Sequence, residues 1–178
     1  DGSNINEFAE ALQKVIEERK SELNEERIRA GGLINDKEFV LSRQLNIILI
    51  DDFNDFLQYA DSTTNDLFER IIKKERNLGI SILAAGYTQD ISSCWDSLAK
   101  ALKDMQTGIL LGSISDQQVF SIRLPYGTTE KPIKPGDGYL VNRGRFGRVK
   151  TAMLENNILK AWIAQINKSY SKNNQSVD

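Results

Sequence analysis

The chain has 178 residues, 40% hydrophobic and 27% charged, with one cysteine and no histidine, and a formal net charge of -2. That is apolar material for one substantial core, so a single globular unit is expected. The missing histidine excludes zinc hydrolases and Ser-His triads, the lone Cys94 excludes an internal disulfide, and the acidic balance is unlike the basic footprint of proteins that grip nucleic-acid phosphates.

From Asn4 to about Arg29, Ile5, Phe8, Ala9, Leu12, Val15, Ile16 and Leu23 recur at three- and four-residue steps. This spacing predicts a long amphipathic helix, opened by an Asn4–Glu7 capping pair and closed by Gly31-Gly32. A polar loop leads to Leu45–Ile50, a short β-branched run of the kind found in strands covered on both faces. Ser62-Thr63-Thr64 offers caps for a second helix carrying Leu67, Phe68, Ile71, Ile72 and Leu78, with Gly79 as its stop. Strand Ile80–Ala85 comes next, then loop Gly86–Ser92, a helix around Trp95, Leu98, Ala99 and Leu102, and strand Thr107–Leu111. Alternating helix and strand is the pattern of a doubly wound α/β layer.

Beyond Gly112 the pieces shorten. Val119–Leu124 reads as a strand, Pro125–Gly138 as a connection, and Tyr139–Asn142 with Arg148–Met153 as an antiparallel hairpin at the sheet edge around Arg143–Gly147. Ile158, Leu159, Trp162, Ile163 and Ile166 mark a final helix, so one domain is expected over 1–168 with a polar, disordered tail over 169–178. No run approaches the roughly 18 apolar residues of a membrane span. Asp1–Glu7 is polar and acidic where a secretory signal is basic and then apolar, and the lone Cys94 gives no reason for an oxidising compartment, so a cytoplasmic setting is expected.

Asp51 and Asp52 come directly after the Leu45–Ile50 strand. Ligands of open parallel sheets bind at the carboxyl ends of strands, so the pair stands where phosphate and magnesium chemistry takes place. In a nucleotide hydrolase, Asp51 would orient the magnesium shell through water and Asp52 would polarise the attacking water. The second position usually holds Glu. Asp is one methylene shorter, which places the base on the order of an ångström short and predicts weak hydrolysis. The alternative is that the pair ends a strand and Asp52 caps the next segment of chain. A phosphoacceptor receiver domain would need a further Asp and a Lys at later strand ends, and Ala84-Ala85-Gly86 and Leu110-Leu111-Gly112 supply neither.

Three segments together are more specific: Ile47–Phe56, Ile71–Ala85 and Lys134–Leu140. In that order they resemble the FtsK/SpoIIIE family of translocating ATPases from the Walker B element onward, over about residues 8 to 165. Asp137–Ala152 is similar, within that family, to the C-terminal ATPase module of the motors of type VII secretion in Gram-positive bacteria. The resemblance implies a RecA-like P-loop ATPase fold, a mostly parallel sheet flanked by helices with a C-terminal edge hairpin. Its Walker A half is missing from this chain, which holds no Gly-x4-Gly-Lys-Ser/Thr loop. Asp51 and Asp52 would then be the catalytic Walker B pair and, with Tyr87 and Gln89 at the sensor position, would contact the cofactor. Asp51 would hold Mg2+ through water. ATP and Mg2+ are expected only where an upstream Walker A loop is intact.

Two departures point to a degenerate site. Tyr87 stands where translocases carry a sensor glutamine, and Gly108 where the family often places an arginine that reaches a neighbour's nucleotide. The resemblance therefore implies a module of a membrane-anchored secretion motor that acts in substrate recognition or regulation. Its partners would be other ATPase modules and small helical WXG-type secreted proteins, with no nucleic acid, and it would meet the membrane only through the parent protein. Whether it is an enzyme stays open. An active FtsK-like DNA translocase and a non-enzymatic interaction domain with a vestigial nucleotide pocket are the alternatives. Arg76 reads as a solvated charge favourable to a helix end, the cations Arg143, Arg145, Arg148 and Lys150 as a solvated turn, and Trp95 and Trp162 as core or interdomain packing. Cys94 reads as a small buried apolar residue, because no histidine exists to activate it.

Overall fold

The computed structural model describes residues 2–152 and 155–173. Helix α1, Gly2–Arg29, buries Ala9, Leu12, Ile16 and Leu23 along one stripe and stops where Gly31 and Gly32 take positive φ. It starts two residues before Asn4, so the expected Asn4–Glu7 cap does not form. Asn6 accepts instead from Thr64 Oγ1 at 3.0 Å and from the Asp61 N–H at 3.3 Å, fastening α1 to the entry of a later helix.

The polar loop contains a helix, α2, Asp36–Leu41, capped by Asn35 and buried through Phe39. After strand β1, Asn46–Ile50, comes a second short helix, α3, Phe53–Tyr59, which buries Phe53 and Phe56. Helix α4, Ser62–Lys74, is capped by Asp61, whose carboxylate accepts from the Thr64 N–H at 2.7 Å, and not by its serine and threonines. A 3₁₀ turn, Arg76–Leu78, and Gly79 at φ 70° lead into β2, Ile80–Ala84. Helices α5, Thr88–Ser93, and α6, Ser97–Met105, precede β3, Thr107–Leu110. Trp95 lies in the connector between the two helices, 98% exposed, so within this chain it is not core. Trp162 is also exposed.

The α/β class holds, but among the described residues parallel pairing is confined to β1 and β2, in register from Asn46↔Ile80 to Ile50↔Ala84. Strand β3 joins a separate three-stranded antiparallel sheet with β4, Asp137–Asn142, and β5, Arg145–Lys150. The expected hairpin forms, but as part of this separate sheet and not on the edge of the parallel pair, with β4 its central strand and a tighter turn, Arg143-Gly144, at φ 49° and 80°, the pattern of a type I′ turn. Gly138 permits the close approach of β3 and β4, since a Cβ there would lie 2.3 Å from the Leu110 carbonyl oxygen.

Val119–Leu124 forms no strand. Side-chain amides take its backbone groups: Gln106 Nε2 donates to the Val119 carbonyl, Gln106 Oε1 accepts from the Ser121 N–H, and Gln117 Oε1 accepts from the Phe120 N–H. Helix α7, Asn156–Asn173, extends five residues into the stretch expected as a disordered tail. Residues 169–173 contain no Gly or Pro to stop it. The rest of that expected tail, 174–178, lies outside the described residues.

Two cores result. The larger unites α1, α3, α4, α6 and one face of the β1–β2 pair around Phe53, Phe68, Ile16 and Leu98, side chains whose burial contributes roughly 2–3 kcal/mol each. The smaller comprises Leu110, Ile114, Ile122, Tyr139 and Val141. Polar ties brace α1 on α4: buried Glu75 accepts from Lys20 Nζ at 2.5 Å with Arg70 Nε at 3.5 Å, and Arg19 donates to the Leu78 and Gln44 carbonyls. The other face of the parallel pair is open, with Leu49 70% and Leu83 61% exposed.

Candidate functional site

Strands β1 and β2 run side by side for one step beyond their last residues. The Ala85 N–H donates to the Ile50 carbonyl at 2.8 Å and the Phe53 N–H to the Ala85 carbonyl at 2.9 Å. This zip holds Asp51-Asp52, joined by a cis peptide, at the carboxyl end of the pair and beside the chain that continues to Tyr87. Asp51 is exposed and its carboxylate makes no hydrogen bond or ion pair among the described residues. Asp52 is half-buried and caps α3, its Oδ1 accepting from the Asn54 N–H at 2.8 Å. The capping alternative raised by the sequence is thus realised for Asp52, leaving one carboxylate oxygen for other contacts.

The four residues expected at a nucleotide lie at the same end of the strands but in two cavities. Asp51 and Asp52, with Asp55, rim one of about 340 Å³ whose walls are largely apolar, including Phe8, Leu49, Phe56 and Tyr59. Tyr87 and Gln89 line another of about 420 Å³, together with Leu110 to Ser113, Asp116 and Gln117. That second cavity is lined by residues that follow β2 and β3, strands of two separate sheets. Among the described residues no three His, Cys, Asp or Glu converge to hold a metal. Magnesium at Asp51 would therefore take most of its shell from water and phosphate oxygens, as Mg2+ at one or two carboxylates commonly does.

The loop after β3 is fixed by Glu130, which the sequence did not single out. Its carboxylate accepts from Ser113 Oγ at 2.5 Å and from the Ile114 N–H at 2.9 Å. Burial pushes this carboxyl up, but the bonds from Ser113 and Ile114 outweigh it and hold it below its ordinary value. Sixteen and seventeen residues separate the partners, so no local spacing announces them.

Gly108 is on the β3 face that packs toward the small core, opposite Val141, and a Cβ there would meet Phe120 Cζ at 2.9 Å. An arginine at this position would have to displace Phe120. Of the hairpin cations, Arg148 and Lys150 pair with Asp137 at 2.8 and 3.2 Å, while Arg143 and Arg145 are exposed. Arg76 binds the Ile72 carbonyl through Nε at 2.8 Å, satisfying a carbonyl at the end of α4. Cys94 is half-buried against the larger core.

No family model matches the chain. The ESX secretion system protein YukB of Bacillus subtilis (strain 168) is 30% identical over 146 residues, 82% of this chain and 9% of YukB. The ESX secretion system protein EccC of Geobacillus thermodenitrificans (strain NG80-2) is 27% identical over 109 residues, 61% of this chain and 7% of its own length. Among solved structures, the cytoplasmic domain of EssC superposes with a TM-score of 0.73 at 21% identity, over 87% of this chain and 29% of that one. The chain shares the fold of the EssC cytoplasmic domain. A structure of EssC ATPases 2 and 3 from Geobacillus thermodenitrificans gives a TM-score of 0.61 at 22% identity, over 82% of this chain and 26% of that one. The chain spans less than a tenth of the length of YukB and EccC. None of its described helices is long and apolar enough to cross a membrane.

Proposed function

We infer that this chain is the Walker B half of a RecA-like ATPase module in a type VII secretion motor, weak or inactive in hydrolysis and acting in substrate recognition or regulation. The carrying observation is Asp51 and Asp52 at the carboxyl end of β1, in a parallel pair that forms a sheet separate from β3–β5, and we place the interruption between β2 and β3. A parallel strand and phosphate loop supplied by sequence outside this chain would fill that interruption, cover unpaired strand edges and deliver backbone N–H groups to the cavity of Tyr87 and Gln89. ATP would then lie between that loop and the acidic pair, with Asp51 ordering Mg2+ through water and Tyr87 and Gln89 along its side.

Weak hydrolysis is supported by three features. Asp52 spends one carboxylate oxygen on capping α3, Gly108 is packed where an arginine would have to fit, and Tyr87 offers a phenol in place of a carboxamide. The secretion role and the partnership with further ATPase modules are supported by the likeness to YukB, EccC and EssC, while small helical secreted proteins as partners and attachment to a membrane through the parent protein follow from the resemblance of Asp137–Ala152 to secretion motors.

Isothermal titration of Mg-ATP into the module with its upstream sequence tests the nucleotide. Saturable binding that Asp51→Ala weakens, with little turnover, is expected. No binding removes ATP from this reading, and turnover at ordinary motor rates removes its degenerate character. Pull-down of helical export substrates with and without ATP then separates a regulatory module from a passive one.

A further inference from the structure

At the opposite end of the strands from Asp51 and Asp52, a cavity of about 490 Å³ opens between the start of β3, the turn of the hairpin and the 3₁₀ turn before β2. Its charged lining is Arg76, Arg143 and Asp104, two guanidiniums against one carboxylate. Both cations are carried on fixed backbone. Arg143 is held at φ 49° in the two-residue turn, with its N–H donating to the Gln106 carbonyl at 2.7 Å. Arg76 is pinned through Nε to the Ile72 carbonyl, which leaves its two terminal nitrogens as donors. The guanidinium of Arg143 makes no hydrogen bond or ion pair among the described residues.

The polar wall between them is already satisfied. Gln106 spends its carboxamide on the Lys103 and Val119 carbonyls and the Ser121 N–H, so it shapes the cavity without competing for a ligand. What is left to recognise is charge: two planar, multi-donor cations beside an open space, one anchored through Nε and the other carried on a fixed turn, an arrangement that suits tetrahedral or planar oxyanions. The geometry points to an oxyanion-binding site, with Arg76 and Arg143 as the ligating residues and phosphate as the chemical class of ligand, either free or carried on a nucleotide. It shares no lining residue with the cavity of Asp51 and Asp52 or with that of Tyr87 and Gln89, and stands independently of the function proposed above.

The test is a titration of the full 178-residue chain with pyrophosphate, monitored at the backbone amides of Gln106, Ser121 and Gly144 in two-dimensional NMR. Saturable shifts at these amides are expected. Each lost charge-assisted contact is worth enough to weaken binding about tenfold, so Arg76→Gln/Arg143→Gln should abolish saturation in the accessible range. Asp104→Asn removes the one opposing charge and should tighten binding, an arm that does not depend on the double variant. Arg145→Gln, in the same hairpin but outside the cavity, should change nothing. ADP run beside pyrophosphate separates the sources: equal affinity assigns the site to phosphate alone, tighter ADP to a nucleotide. Absence of saturation in the native chain, weakening by Asp104→Asn, or equal losses from Arg145→Gln and the double variant would each overturn the assignment.

Discussion

Asp51 and Asp52 are neighbours in sequence but differ in what they do for the fold, and substitution separates the two. Asp52 caps α3 with a 2.8 Å bond to the Asn54 N–H, and losing such a cap costs about 1 kcal/mol. Its negative charge at the helix N-terminus adds about 0.3 kcal/mol, the low end for a group this open to solvent. Asp52→Ala should therefore destabilise the chain by about 1.3 kcal/mol, a fall in Tm of about 3–5 °C at this length. Asn accepts the same bond, so Asp52→Asn should cost only the charge, about 0.3 kcal/mol. Asp51→Ala, at an exposed carboxylate without partners among the described residues, should be neutral within about 0.5 kcal/mol. Urea unfolding of the three variants beside the native chain reads all three numbers, with unchanged m-values confirming a common unfolding reaction. Equal losses for Asp52→Asn and Asp52→Ala would refute the capping role, and a large loss for Asp51→Ala would refute the division of labour.

Gly138→Ala drives a Cβ to 2.3 Å from the backbone oxygen of Leu110, where no side-chain rotation relieves the clash, and should cost about 2–3 kcal/mol, read as loss of β3–β4 amide protection in hydrogen exchange. Asp137 is held well below its ordinary 3.8 by the Lys134 N–H, then by Arg148 and Lys150. Because its folded pKa is depressed, its stabilisation is fully present above about pH 4 and is lost as acid titrates the folded carboxylate. Asp137→Asn should accordingly lower stability at pH 7 and flatten the acid limb of a stability–pH curve; an unchanged limb would show that the pair with Arg148 and Lys150 contributes nothing.

Where a segment is long and periodic, the sequence suffices. α1, α4 and the β1–β2 pair are legible because Leu12 and Ile16, Leu67 and Ile71, or Ile48 and Ile50 repeat at the step of their element. Helices α2 and α3 are not, since six or seven residues make too few turns for a stripe to show, although Asn35 and Asp52 are both available as caps. The strand expected at Val119–Leu124 fails for a tertiary reason: Gln106, thirteen residues away from Val119, offers its carboxamide where a strand partner would be needed. Trp95 has helical spacing to Leu98 and Leu102, but Asp96 caps α6 one residue later and leaves the indole outside. At the candidate site, Asp51 and Asp52 are legible as the end of a buried strand. Their separation from Tyr87 and Gln89 into two cavities is not, because it depends on which strands fail to meet.

Division into two cores has a consequence for how the molecule opens. Among the described residues no side chain belongs to both clusters, and Gln106, at the end of α6, ties the hairpin and the 119–121 loop to the helix that belongs to the larger one. Regions joined so sparsely behave as separate cooperative units with their own opening free energies. The β3–β5 sheet is therefore expected to open separately from the helical body, so that a strand entering beside β3 would do more than complete a sheet: it would join two cooperative units into one.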